Sequence, residues 1–97
     1  VYMNFQQLEY VIAVDQQKHF AQAAEQCHVT QATLSAMIKK LEIELGIAIF
    51  DRSKQPVRTT DEGAEIIAIS KEIISKRNEI LQLNSSNTRV LTGHVRI

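Results

Sequence analysis

Chain breakers are rare in this sequence: Gly46, Gly63 and Gly93 are the only glycines and Pro56 the only proline among 97 residues. A fold built from short strands needs a turn about every 8–12 residues, usually on glycine or proline. So wide a spacing predicts a mainly α chain. The length fits one domain, and 44% hydrophobic with 23% charged residues excludes disordered and fibrous classes. A chain this short buries somewhat over roughly 60% of its unfolded surface, so its core is modest and dimerisation would add to its stability.

Apolar periodicity divides the chain. Phe5, Leu8, Val11, Ile12 and Ala13 fall on helical spacing behind Asn4, a candidate N-cap, which predicts a helix over about 5–17 closed by the polar run 15–18. Phe20, Ala23, Ala24 and Cys27 repeat at i, i+3, i+4, i+7, a short second helix whose alanines allow close approach of a neighbour and which ends near His28. Thr30 then caps a third helix over 31–45, with Leu34, Ile38, Leu41 and Leu45 inward and Gly46 as the C-cap. Ile47, Ile49 and Phe50, a polar loop over 51–56, and Val57-Arg58-Thr59 read as a two-stranded wing over 47–59. Thr60 or Asp61 starts a fourth helix over 61–83. There Ile66, Ile73 and Ile80 repeat at seven beside Ile67, Ile74 and Leu81, with Ile69 and Leu83 widening the stripe. Such a helix is roughly 35 Å long and too apolar on one side to stand alone in water. A partner helix is implied, and Ile66, Ile69, Ile73, Ile80 and Leu83 are the expected dimerisation residues. The alternative is that the ladder packs back onto the first helix. Residues 84–92 read as a hinge, and 93–97 alternate like the opening strand of a further domain. Val1 and Tyr2 precede Met3, which reads as a native start behind a cloning remnant.

Eleven basic side chains balance eleven acidic ones, so net charge identifies no partner. The distribution is more informative: residues 1–27 carry one cation against three anions, residues 28–60 carry five against three, and residues 61–97 carry five against five. The lone cysteine, Cys27, fits a reducing cytoplasm. No apolar run approaches the about 18 residues of a membrane-spanning helix, so no membrane association is expected.

Two helices joined by a short turn and followed by a basic wing are the parts of a winged helix-turn-helix. A major groove admits one α-helix, whose first residues reach base edges while cations and the helix N-terminus hold phosphates. Gln31 is placed to bond an adenine edge and Thr33 to offer its methyl to thymine; Ser35, Lys39 and Lys40 are phosphate candidates. Arg52, Lys54 and Arg58 on the wing suit phosphate or minor-groove contact. The plain alternative for the same residues is the solvated face of an amphipathic helix and an ordinary charged loop.

The motif blocks Met3-Asn4-Phe5-Gln6-Gln7-Leu8-Glu9-Tyr10, Phe20-Ala21-Gln22-Ala23-Ala24-Glu25, Val29-Thr30-Gln31, Thr33-Leu34-Ser35, Ile38-Lys39-Lys40-Leu41-Glu42, Glu44-Leu45-Gly46, Phe50-Asp51-Arg52 and Thr60-Asp61-Glu62-Gly63 occur in order along nearly the whole chain. Together they resemble the LysR-type transcriptional regulators. His19-Phe20, Cys27-His28-Val29, Thr33-Leu34-Ser35 and Lys40-Leu41-Glu42 look most like the hydrogen-peroxide-sensing members. The resemblance implies a winged helix-turn-helix over 3–60 and a linker helix that pairs antiparallel in a homodimer, with an effector domain beyond. It implies double-stranded DNA as partner, bound at interrupted palindromes, with Gln31, Thr33, Ser35 and Lys39 on the recognition helix and Arg52, Lys54 and Arg58 at the wing as contacts. A tetramer of the full-length protein and contact with RNA polymerase in a bacterial cytoplasm belong to the same picture, with no cofactor. The sequence departs from the family pattern at Ala32, at Ala36-Met37 and at Lys18-His19, where proline, Arg-Gln and Gly-Ser are usual. Fewer base-reading side chains remain, and the first turn is made without glycine.

Other readings are weaker. Cys27 lies on the apolar stripe and reads as a small core residue rather than a redox sensor. His19 and His28 sit nine apart without ligand company and read as turn residues, so no metal site is expected. No nucleophile with a base, carboxylate pair or phosphate loop can be assembled, which sets an enzyme aside. A protein-interaction module and a non-specific DNA binder remain as alternatives. Both are separated from a specific DNA reader by affinity for duplex and its salt dependence.

Overall fold

A computed structural model describes the backbone over residues 3–92 and the side chains over 3–83. The elements run α1 (Phe5–Gln17), α2 (Phe20–Cys27), α3 (Gln31–Leu45), β1 (Phe50–Asp51), β2 (Arg58–Thr59) and α4 (Asp61–Thr92). The first three helices match the sequence periodicity, because each is bounded by a side-chain cap or a left-handed residue. Asn4 accepts the Gln7 amide at 2.9 Å while Gln7 Oε1 accepts the Asn4 amide at 3.0 Å, a complete capping box. Thr30 Oγ accepts the Thr33 amide at 3.1 Å, and Gly46 ends α3 at φ 68° with its N–H on the Glu42 and Ile43 carbonyls.

Lys18 and His28 also end helices in the left-handed region, at φ 57° and 60°. For residues with a Cβ this costs on the order of 1 kcal/mol. At Lys18 the cost is offset by tertiary bonds: its carbonyl accepts the Val57 amide at 3.0 Å and its ammonium meets Asp15 at 3.0 Å and Thr59 Oγ at 3.3 Å.

The core collects Leu8, Val11 and Val14 of α1, Ala23 and Ala24 of α2, Leu34, Ile38 and Leu41 of α3, then Ile49, Phe50, Val57 and Ile67. Cys27 packs half-buried against it, where burial, with the Glu9 charge nearby, pushes the thiol's pKa up. Leu45, expected inward, is exposed: it is the last residue of α3, at the edge of the core. β1 and β2 pair antiparallel with Phe50 opposite Thr59 and Asp51 opposite Arg58, and the peptide between Gln55 and Pro56 is cis.

One expectation for the fourth helix is corrected, and its apolar ladder meets two environments. The expected hinge over 84–92 is helical: α4 continues to Thr92. Its asparagines, serines and threonines each cost only a fraction of a kcal/mol relative to alanine, and without glycine or proline a helix already propagating does not stop. The isoleucine ladder also divides between two environments. Ile67 is buried, and Ile66, Ile73 and Ile74 pack half-buried on the chain's own core, where α4 crosses α1 around the buried Ser70. Ile66 and Ile73 are therefore partly covered by the chain's own core. Ile69, Ile80, Leu81 and Leu83 stay exposed, by 56%, 66%, 55% and 62%. Arg77 pins the crossing, 3.0 Å from Glu9 and over the Phe5 ring at 5.6 Å. Residues 1–2 and the expected strand over 93–97 lie outside the described residues.

Candidate nucleic-acid interface

The α2–turn–α3 unit is held by backbone. The Val29 amide donates to the Ala24 carbonyl at 3.0 Å, and the Thr30 cap sets the start of α3. Gln31, Thr33, Lys39 and Lys40 are exposed along α3 and Ser35 is half-buried. The cap uses part of Thr33, whose hydroxyl oxygen accepts from Thr30 Oγ at 2.9 Å. Its methyl keeps the expected thymine contact open, and the bond takes one acceptor site of its hydroxyl. The two lysines diverge. Lys39 borders Ile47 and Ala48 toward the wing, whereas Lys40 borders Asn4 and Gln7 toward α1.

Two polar ties fix the wing against the helices. Glu42, 8% exposed on the core side of α3, accepts the amides of Ile49 and Phe50 at 2.8 and 3.2 Å through Oε2. Its other oxygen lies 3.5 Å from Arg52 Nη2, and Arg52 Nη1 donates to Ser35 Oγ at 2.8 Å. The guanidinium also stacks 4.5 Å over the Phe20 ring, which meets Phe50 edge-on at 6.0 Å. The second tie joins β2 to the last turn of α1: Thr59 Oγ donates to Asp15 Oδ1 at 2.7 Å beside Lys18. Burial works against the Asp15 charge, but the bonds from Thr59 and Lys18 and the charges of Lys18 and Lys71 outweigh it and hold its pKa below the usual carboxylate value.

The structure thus brings Arg52 directly to Ser35, while Lys54 and Arg58 stand exposed at the wing beside Lys18, Pro56 and Thr59. Asp51 braces the wing tip by accepting the Ser53 amide and hydroxyl at 3.0 and 2.5 Å, bonds that lower its pKa. Sequence reasoning passed over Gln7, Asp15, Glu42 and Thr59. For Gln7 the signal was present in the Asn4-x-x-Gln7 spacing, and for Glu42 in an acid placed one residue from Leu41 on the inward face. Nothing local marks Asp15 and Thr59 as partners 44 residues apart. Among the described residues there is no group of three or more His, Cys, Asp or Glu able to hold a metal ion, and no helix long and apolar enough to cross a membrane.

A profile of known sequences described as "Bacterial regulatory helix-turn-helix protein, lysR family" matches residues 5–64, from the start of α1 into α4. The chain belongs to the lysR family. Over 95 residues it is 35% identical to a hydrogen peroxide-inducible genes activator of Haemophilus influenzae, covering 98% of this chain and 32% of that one. It spans about a third of the length of the curated relatives it matches. Among solved lysR-family structures, full-length OxyR C199D of Pseudomonas aeruginosa is 42% identical, with a TM-score of 0.84 over 88% of this chain and 29% of that one. The BenM DNA-binding domain in complex with catB site 1 DNA is 30% identical, with a TM-score of 0.85 over 89% of this chain and 96% of that one. The winged helix-turn-helix expected from the sequence is therefore the fold of this lysR-family domain, and the family is one of transcription regulators.

Proposed function

We propose that this chain reads double-stranded DNA sequence as a homodimer, laying α3 in the major groove and the wing on the flanking backbone. The observation that carries the reading is the set of exposed side chains Gln31, Thr33, Lys39 and Lys40 on the second helix of a helix-turn-helix, in a fold shared with a domain solved on DNA. Gln31 and Thr33 read bases, Ser35, Lys39 and Lys40 hold phosphates, and Lys54 and Arg58 hold the backbone or the minor groove beside the wing. The exposed Ile69, Ile80 and Leu83 on α4 supply the seam between protomers. A two-fold dimer presents its recognition helices to half-sites about 34–36 Å apart, hence an interrupted palindrome.

The finer reading is a peroxide-responsive transcription regulator working in the cytoplasm. It is supported by the hydrogen peroxide-inducible genes activators that share 33–35% identity with this chain. Tetrameric assembly and contact with RNA polymerase belong to that finer reading.

The test is selection of bound sequences from random duplexes, followed by titration of the winner and a scrambled control at two salt concentrations. Enrichment of an interrupted palindrome with steeply salt-dependent affinity is expected. Weak, equal binding to both duplexes would refute specific reading. Peroxide-dependent transcription from the selected site in cells tests the finer reading.

A further inference from the structure

Arg52 looks at first like a phosphate ligand, since it is a cation at the base of the wing beside the recognition helix. Its surroundings give it a different task. All its recorded partners are internal: Ser35 Oγ at 2.8 Å, Glu42 Oε1 at 3.5 Å and the face of Phe20 at 4.5 Å. Glu42 compensates its charge, so a phosphate would gain less from this guanidinium than from a free one.

We infer that Arg52 is a positioning residue that acts on DNA through the Ser35 hydroxyl. The inference rests on the DNA-binding reading above. A serine hydroxyl carries one donor and two acceptor lone pairs. Arg52 occupies an acceptor site, and this is the side-chain bond recorded for Ser35 among the described residues. The hydroxyl proton is left to donate outward. A charged donor on the oxygen polarises that O–H and makes it a stronger donor to a phosphate oxygen. The fork makes the arrangement rigid: one guanidinium nitrogen holds Ser35 of α3 while another faces Glu42, whose second oxygen holds the amides of Ile49 and Phe50 in the wing. Recognition helix and wing are thereby presented to the duplex as one body. A lysine has one compact ammonium and no fork, and cannot reproduce the two bonds and the ring contact together.

The experiment is a double-mutant cycle of Arg52→Lys and Ser35→Ala, read as affinity for the selected duplex across a salt series, with helix content checked by circular dichroism. Arg52→Lys keeps the charge beside Glu42, which guards the fold. It should weaken binding by about ten-fold, the size of one charge-assisted hydrogen bond, with the salt slope unchanged. In the Ser35→Ala background the same change should cost less than about two-fold, because the hydroxyl it acts through is gone. A second variant, Arg52→Met, should likewise leave the slope within the error of the wild type, whereas loss of a true phosphate ligand lowers it by about 0.9. Wild-type affinity for Arg52→Lys, additive losses in the cycle, or a lowered slope for Arg52→Met would each overturn the inference while leaving the DNA-binding reading intact. Failure of the wild type to prefer the selected duplex would overturn that reading, and this inference with it.

Discussion

Gly63 offers a test in which local and tertiary effects have opposite signs. It lies in the first turn of α4, and a Cβ built there overlaps the Ile49 carbonyl oxygen and comes within 2.9 Å of the Ile49 carbonyl carbon and Cα. The obstacle is backbone held from both sides: the Ile49 amide donates to Glu42 at 2.8 Å and its carbonyl accepts the Thr60 amide at 2.9 Å. Overpacking of this kind costs about 3 kcal/mol at the upper end of its usual range. Helix propensity returns about 1 kcal/mol when glycine becomes alanine. The net loss for Gly63→Ala is then about 2 kcal/mol, a fall in Tm of about 8–16 °C for a domain of this size. The assay is thermal and urea unfolding followed by circular dichroism, with Ala64→Gly at the exposed neighbouring position as the control. Propensity alone makes the first variant more stable and the second less stable. The structure makes both less stable, and a Gly63→Ala protein that melts at or above the wild type would refute the close approach.

Three further outcomes are expected. Ile80→Asp and Leu83→Asp should yield folded monomers by light scattering, whereas Ile73→Asp should lower Tm because Ile73 packs on the chain's own core; a dimer that survives both exposed changes would place the seam elsewhere. Gln31→Ala should relax preference at one base position, while Lys39→Ala should weaken all duplexes alike and reduce the salt slope by about 0.9; identical effects of the two changes would refute that division. Asp15→Asn should be less stable than the wild type at neutral pH. Because the pKa of Asp15 is lowered by folding, its contribution is present above the unfolded value near 3.8 and is lost as pH falls through the folded one. The gap in urea midpoint should therefore close in acid, and a gap constant from pH 7 to pH 3 would show that the Asp15 charge does not anchor the wing.

Periodicity and caps made most of the helices legible. Asn4, Thr30 and Gly46 are local signals, set by which side chain or φ angle can satisfy the end of a helix, and the start of α1 and both ends of α3 follow from them. The end of α4 was not legible in this way, since a polar composition resembles a loop but contains no residue that forbids helix. The exposed cations of the candidate interface were legible as types. Which of them stand free was not, and Arg52 shows why: its partners come from α2 and α3, 10 to 32 residues away in the chain.

By itself, then, the sequence determined the first three helices, the turn between α2 and α3 and the family, because spacing, capping and motif order act over a few residues at a time. Only the tertiary structure decided that Ile66 and Ile73 pack on their own core while Ile80 and Leu83 face outward, that Gly63 must lack a side chain, and that the exposed Arg52 is tied to Ser35 and Glu42. Those properties depend on what lies opposite once the chain is folded, and contacts between distant segments leave no periodic trace in either segment.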